Sequence, residues 1–142
     1  MTESLVATLR NGATLWVGDW YDAQKFDGEK LCVLEGIRES ECVSNTHLVP
    51  ILEMGGPLIP SARVNIEQMD KAVTLMTDRL DAGVKLLVHC AAGIERSPLT
   101  CAYWLRKMGV HSTLAAAYTH LKIIRPIVED RTVWLPMEHR LP

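Results

Sequence analysis

The sequence predicts an α/β fold, a single mainly parallel central sheet flanked by helices. Three observations carry that prediction. Apolar runs such as Lys30-Leu31-Cys32-Val33-Leu34-Glu35-Gly36 and Val84-Lys85-Leu86-Leu87-Val88 are short and bounded by charge or glycine, as buried strands are. Stretches of helical spacing alternate with them, which implies right-handed crossovers and a sheet covered on both faces. The run ending at Val88 passes through a small-residue turn straight into an apolar helix, and in such sheets ligands sit beyond the carboxyl ends of the strands.

Length and composition bound the rest. The 142 residues suit one compact domain, residues 1–142, and no repeat, low-complexity tract or linker divides them. Hydrophobic residues at 48% and charged residues at 23% fit a soluble globular chain. A net charge of −2 gives no reason to expect nucleic acid or an anionic membrane as partner. No apolar run approaches the roughly 20 residues that a membrane span needs. Met1-Thr2-Glu3-Ser4 lacks the basic-then-apolar start of a signal peptide. Cys32, Cys42, Cys90 and Cys101 contain no Cys-x2-Cys pair, so neither a zinc site nor a disulfide scaffold is expected, and a reducing cytoplasm is.

The elements follow in order. Arg10-Asn11-Gly12 is a turn, Thr14 to Gly18 a strand, and Asp19-Trp20-Tyr21-Asp22-Ala23 the start of a short helix. Trp16 and Trp20 read as core fillers. Lys30 to Gly36 is a second buried strand, and polar Glu39 to Asn45 a loop. His47-Leu48-Val49-Pro50-Ile51-Leu52-Glu53 is another strand-like stretch, followed by the loop Met54-Gly55-Gly56-Pro57-Leu58-Ile59-Pro60. From Asn65 to Leu80, Met69, Val73, Met76 and Leu80 share one stripe of an amphipathic helix, with Gly83 as a left-handed cap beyond it. Ser97 is expected to cap the next helix and Pro98 to fit its first turn. That helix is apolar on most sides from Leu99 to Met108, so it should be central and buried. Gly109 ends it, Ser112 is the expected cap of a last helix, and Pro126 blocks that helix. Trp134-Leu135-Pro136-Met137 packs as a short final element.

Chemistry concentrates in Val88-His89-Cys90-Ala91-Ala92-Gly93-Ile94-Glu95-Arg96-Ser97-Pro98. A strand, a tight turn and a helix N-terminus make an anion site, because free N–H groups converge there and the helix dipole adds positive charge. Cys90 opens this loop and Arg96 closes it, with five residues between. A thiol beside a helix N-terminus and a guanidinium ionises readily. The guanidinium fork matches two phosphate oxygens. The residues describe a thiolate nucleophile facing an oxyanion.

The loop resembles the His-Cys-x5-Arg-Ser/Thr signature of the cysteine-dependent protein phosphatases, most closely the small dual-specificity branch. Leu15, Gly18 and Ala23 also match an opening common in that branch, with Trp16 in the place of a tyrosine, and Arg125-Pro126 matches a common ending of its last helix. The resemblance implies a phosphatase-like fold and hydrolysis of phosphomonoesters through a phospho-cysteine intermediate, without metal or cofactor. The implied partners are a phosphorylated protein or other phosphomonoester, and inorganic phosphate or similar oxyanions. Cys90 is the implied nucleophile, and Arg96 would grip two equatorial oxygens. The backbone N–H groups of Ala91, Ala92, Gly93, Ile94, Glu95 and Arg96 would line the phosphate cradle. Ser97 would bond the sulfur and help it leave, and His89 would order the loop through backbone hydrogen bonds. Gly93 is expected to need a backbone angle forbidden to other residues.

Some points stay open. The family's acid is the aspartate of Pro-x-x-Asp, whereas Pro50-Ile51-Leu52-Glu53 offers a glutamate. Glu53 is the positional candidate, with Asp70, Glu129 and Asp130 as substitutes. Glu95 would weaken dianion binding if it pointed inward, so an outward side chain paired with a base is expected. A glutamate there also resembles rhodanese-like phosphatases, although those usually lack the glycine at 93. Lys122, Arg125 and Arg131 either rim the pocket or form a solvated face. Cys32 and Cys101 read as core, with a disulfide to Cys90 as the alternative. The rival function is a phosphate-binding module with little turnover.

Overall fold

The computed structural model describes residues 2–53 and 62–141. The loop from Met54 to Pro60 lies outside them. In chain order the elements are β1 (Ser4–Thr8), β2 (Thr14–Gly18), α1 (Trp20–Lys25), β3 (Glu29–Cys32), β4 (Thr46–Leu48), β5 (Leu52–Glu53), β6 (Arg63–Val64), α2 (Ile66–Asp81), β7 (Lys85–His89), α3 (Arg96–Lys107) and α4 (Leu114–Ile124). Short 3-10 turns occupy Glu39–Glu41, Thr132–Trp134 and Met137–His139.

The main sheet has the order β1-β2-β7-β3-β4. β2, β7, β3 and β4 run parallel, and β1 joins the edge antiparallel to β2. The expected mainly parallel sheet is therefore present. β7, the last strand in sequence, is the central one. It pairs with β2 so that Gly18 lies opposite His89, and with β3 so that Cys32 lies opposite His89. The carboxyl ends of β2, β3 and β7 thus open at one place.

Alternation along β7 explains its unbroken apolar run. Leu86 and Val88 join the large core under α2, α3 and α4, while Leu87 packs with Ala23 and Phe26 on the α1 side. Both faces are covered, so neither can be polar. The stripe Met69, Val73, Met76 and Leu80 of α2 is buried as its spacing predicts. α3 is buried from Ser97 to Leu105, as its all-round apolar surface requires.

Several expectations are corrected in detail. The sequence 47–53 is not one strand. Val49 N–H still donates to Cys32 C=O and Ile51 N–H to Val33 C=O, and Leu52 and Glu53 then pair with Val64 and Arg63 in a separate antiparallel sheet. β3 stops at Cys32, three residues before Glu35. α2 is capped by Asn65, whose side chain accepts from the N–H groups of Glu67 and Gln68. The cap of α4 is Thr113, not Ser112, because its hydroxyl accepts from Ala116 N–H. Gly83 takes the left-handed conformation expected of it, at φ +84°.

Candidate active site

The loop after β7 is organised by where its carbonyls go. Ala91 C=O accepts from Trp20 N–H, Gly93 C=O from Arg125 Nε, and Ile94 C=O from Glu129 N–H. Glu95 C=O accepts from Leu99 N–H and is spent in α3. With these oxygens tied outward, the amides are left to converge. Gly93 N–H donates to Cys90 Sγ at 3.3 Å. The N–H groups of Ala91, Ala92, Ile94, Glu95 and Arg96 have no acceptor among the described residues. A run of such amides at a helix N-terminus is a nest for an anion.

Gly93 sits at φ +67°. A Cβ there would lie 2.6 Å from Arg125 Nη2 and 2.8 Å from the backbone of Gly18. Glycine is needed both for the angle and for the close approach.

Cys90 is 1% exposed, at the floor of this loop. Its sulfur lies 3.2 Å from Ser97 Oγ, and that hydroxyl also donates to Gly18 C=O at 3.2 Å. Ser97 is therefore not the cap of α3. The helix begins one residue earlier, and the hydroxyl is committed to the sulfur and to β2. His89 is 1% exposed, edge-on to the Trp20 ring. Its Nδ1 is 3.5 Å from Cys90 C=O, at the limit of a hydrogen bond, and Nε2 has no partner among the described residues. Burial drives the His89 imidazole down to about 4, so it is neutral near pH 7. Trp16 and Trp20 are only half-buried, and Trp20 flanks the loop rather than filling the core.

Glu95 turns to a base, as expected of an outward side chain. Arg131 Nε donates to it at 2.7 Å, while the same guanidinium binds Glu129 and stacks over Trp134. Arg125 is neither at the rim nor solvated. It is 0% exposed, and its guanidinium donates to Gly93 C=O at 2.9 Å, Thr2 C=O at 2.8 Å and Ser4 Oγ at 3.3 Å. It braces the loop from beneath. Burial pushes the thiols of Cys32 and Cys101 up, Cys32 to about 11, so both stay protonated near neutrality and suit core filling.

Glu53 is placed in a neighbouring groove. It lines a groove of about 550 Å³ with Arg63, Trp134, Pro136 and Arg140, which contains no residue of the Cys90 loop. The link between the two is Arg131, which covers Trp134 and holds Glu95. The carboxylate that does reach the loop is Glu35. Arg96 Nε donates to Glu35 Oε2 at 2.8 Å and Arg96 Nη2 to Glu35 Oε1 at 2.7 Å. Reading the sequence missed this residue. The available signal was its place just past a buried strand, but that points to the loop only once β3 is known to neighbour β7.

A buried thiol, a serine hydroxyl on its sulfur and an arginine at the mouth of an amide nest define a thiol-based oxyanion site on an α/β sheet. The dual-specificity phosphatase catalytic domain matches residues 40–136, and the chain belongs to that family. The solved structures agree with this fold. A human tyrosine phosphatase-like serine/threonine/tyrosine-interacting protein is 16% identical, with a TM-score of 0.68 over 92% of this chain and 88% of that one. Human DUSP28 is 19% identical, with a TM-score of 0.65 over 90% and 85%. A mouse putative dual specificity phosphatase solved with zinc tungstate is 19% identical, with a TM-score of 0.64 over 90% and 79%. No curated protein sequence matches the chain significantly. Among the described residues, no helix is long and apolar enough to cross a membrane.

Proposed function

We propose that residues 1–142 act as one catalytic domain that hydrolyses phosphomonoesters, phosphorylated proteins among them, through a phospho-cysteine intermediate and without a metal. The observation that carries the reading is the coincidence at Cys90. Its sulfur meets the Gly93 amide at 3.3 Å and the Ser97 hydroxyl at 3.2 Å, beneath a loop whose carbonyls are tied away. A site that only held phosphate would need the amides but not a sulfur so placed.

In the first step the Cys90 sulfur attacks phosphorus and the bond from phosphorus to the ester oxygen breaks. The amides of Ala91 to Arg96 and the Arg96 guanidinium take up the charge that grows on the equatorial oxygens. The departing oxygen needs a proton, and Glu53 is the proposed donor. What supports Glu53 is its groove, which meets the loop's flank through Trp134 and Arg131. In the second step water attacks phosphorus and gives a proton to the Glu53 carboxylate left by the first step, the S–P bond breaks, and the Ser97 hydroxyl turns its one proton from Gly18 C=O to the departing thiolate. His89 and Arg125 act by holding the loop. The four unpaired cysteines favour a reducing compartment such as the cytoplasm.

The test is hydrolysis of para-nitrophenyl phosphate without added metal. Cys90→Ser should abolish it and vanadate should inhibit it. Equal turnover by Cys90→Ser would exclude the mechanism. Glu53→Gln should slow alkyl phosphates more than para-nitrophenyl phosphate, whose leaving group scarcely needs a proton. Unchanged rates on both would remove Glu53 as the acid.

A further inference from the structure

Glu95 is the one acidic residue in the run of amides from Ala91 to Arg96, where the proposed function seats a dianion. Its own N–H belongs to that run, and Arg96 follows it directly. Its charge reaches the site. Against the cost of burial, Glu35, the Cys90 sulfur and Glu95 hold the Arg96 guanidinium above its ordinary pKa. A carboxylate this close opposes a phosphoryl dianion unless a cation meets its charge elsewhere.

Arg131 is that cation. Its Nε donates to Glu95 Oε2 at 2.7 Å, with both side chains 33% exposed. Arg131 is held in place without help from Glu95. Its N–H donates to Tyr118 Oη at 3.2 Å, its guanidinium lies 5.4 Å from the centre of the Trp134 ring, and Nη2 binds Glu129. Two residues earlier, Glu129 N–H donates to Ile94 C=O at 3.0 Å. The backbone of this segment is therefore pinned to the loop by bonds that do not involve the Arg131 side chain.

We propose that Arg131 is a positioning residue for the phosphate loop, which draws the Glu95 carboxylate outward and offsets its charge so that a phosphoryl dianion can bind. Arg131 in this role presupposes the phosphatase reading, which supplies the anion. Two carboxylates and one guanidinium leave the cluster of Glu95, Glu129 and Arg131 with one net negative charge. Without the guanidinium it carries two, and the cation left beside Glu95 in the chain is Arg96 itself. Arg131 touches neither the ester nor the sulfur. It acts alike on bound substrate and on the transition state, so it sets KM rather than kcat.

The experiment measures inorganic phosphate as a competitive inhibitor of para-nitrophenyl phosphate hydrolysis, with calorimetric binding of phosphate to the same proteins, at low and high ionic strength. Arg131→Gln should weaken phosphate binding on the order of two- to fivefold at low salt, the range of a partly exposed ion pair, and raise KM by a similar factor with little change in kcat. The difference should shrink as salt is added. The double variant Arg131→Gln/Glu95→Gln restores one net negative charge to the cluster and should return phosphate binding to the wild-type value. A contact that only stiffened the loop would behave otherwise, since the double variant lacks that contact too and would stay as weak as the single one. Unchanged phosphate binding in Arg131→Gln, or a double variant as weak as Arg131→Gln, overturns the proposal. If the wild-type protein hydrolyses the ester through Cys90 in that case, the phosphatase reading survives alone. If phosphate binding follows the expected pattern while the wild-type protein turns over no ester, the role of Arg131 stands and the phosphatase reading falls. If the wild-type protein neither binds phosphate nor turns over, both fall.

Discussion

Lowering the pH should loosen this fold through His89. The ring is enclosed, set edge-on against Trp20, and has no partner for Nε2 among the described residues. Burial takes its pKa from the ordinary 6.5 to about 4. Between those values the unfolded chain binds a proton that the folded chain refuses. Stability due to a neutral His89 is therefore complete above about 6.5 and is lost as the pH falls toward 4. Each pH unit in that window is worth about 1.4 kcal/mol, so the fall from about pH 7 to about pH 4.5 should remove about 3 kcal/mol. Glu29, drawn down to about 2 chiefly by its bond to Arg79, loses its own contribution mostly below this window. Asp22 is raised by burial and acts in the opposite direction. Urea unfolding of the wild-type protein and of His89→Gln across these pH values isolates the term, since the carboxylates are common to both. The variant should be less stable near neutrality but should show a profile flatter by about 3 kcal/mol. Parallel profiles would refute the claim that the fold excludes a protonated His89.

Two further changes test how the loop is held. Gly93→Ala forces a left-handed alanine against Arg125 Nη2 and the Gly18 backbone, so it should destabilise by at least about 2 kcal/mol. A fall in melting temperature of about 5 °C or more would show it, and an unchanged melting temperature would contradict it. Arg125→Met strips the donor from the carbonyls of Gly93 and Thr2 and should lower stability by roughly 3 kcal/mol in urea unfolding, with Arg125→Lys recovering only part. Equal midpoints for wild type and Arg125→Met would mean that the buried guanidinium is not a brace.

The sequence by itself determined the fold class and the floor of the site. Those depend on neighbours in the chain. A strand, a turn and a helix within residues 84 to 107 suffice to aim amides at Cys90, and the stripes of α2 and α3 dictate which faces are covered. The departures are local, at Ser97, Ser112 and residues 47–53. A cap is chosen by competition among nearby acceptors, and the Ser97 hydroxyl found the sulfur and Gly18 C=O instead. Tertiary structure alone decided the partners of the charges. Only the insertion of β7 between β2 and β3 brings Glu35 to Arg96 across 61 positions, and only the packing of α4 buries Arg125 beneath Gly93. Such pairs leave no periodic trace in the chain, because an ion pair needs two atoms to meet in space and the sequence states only that both exist.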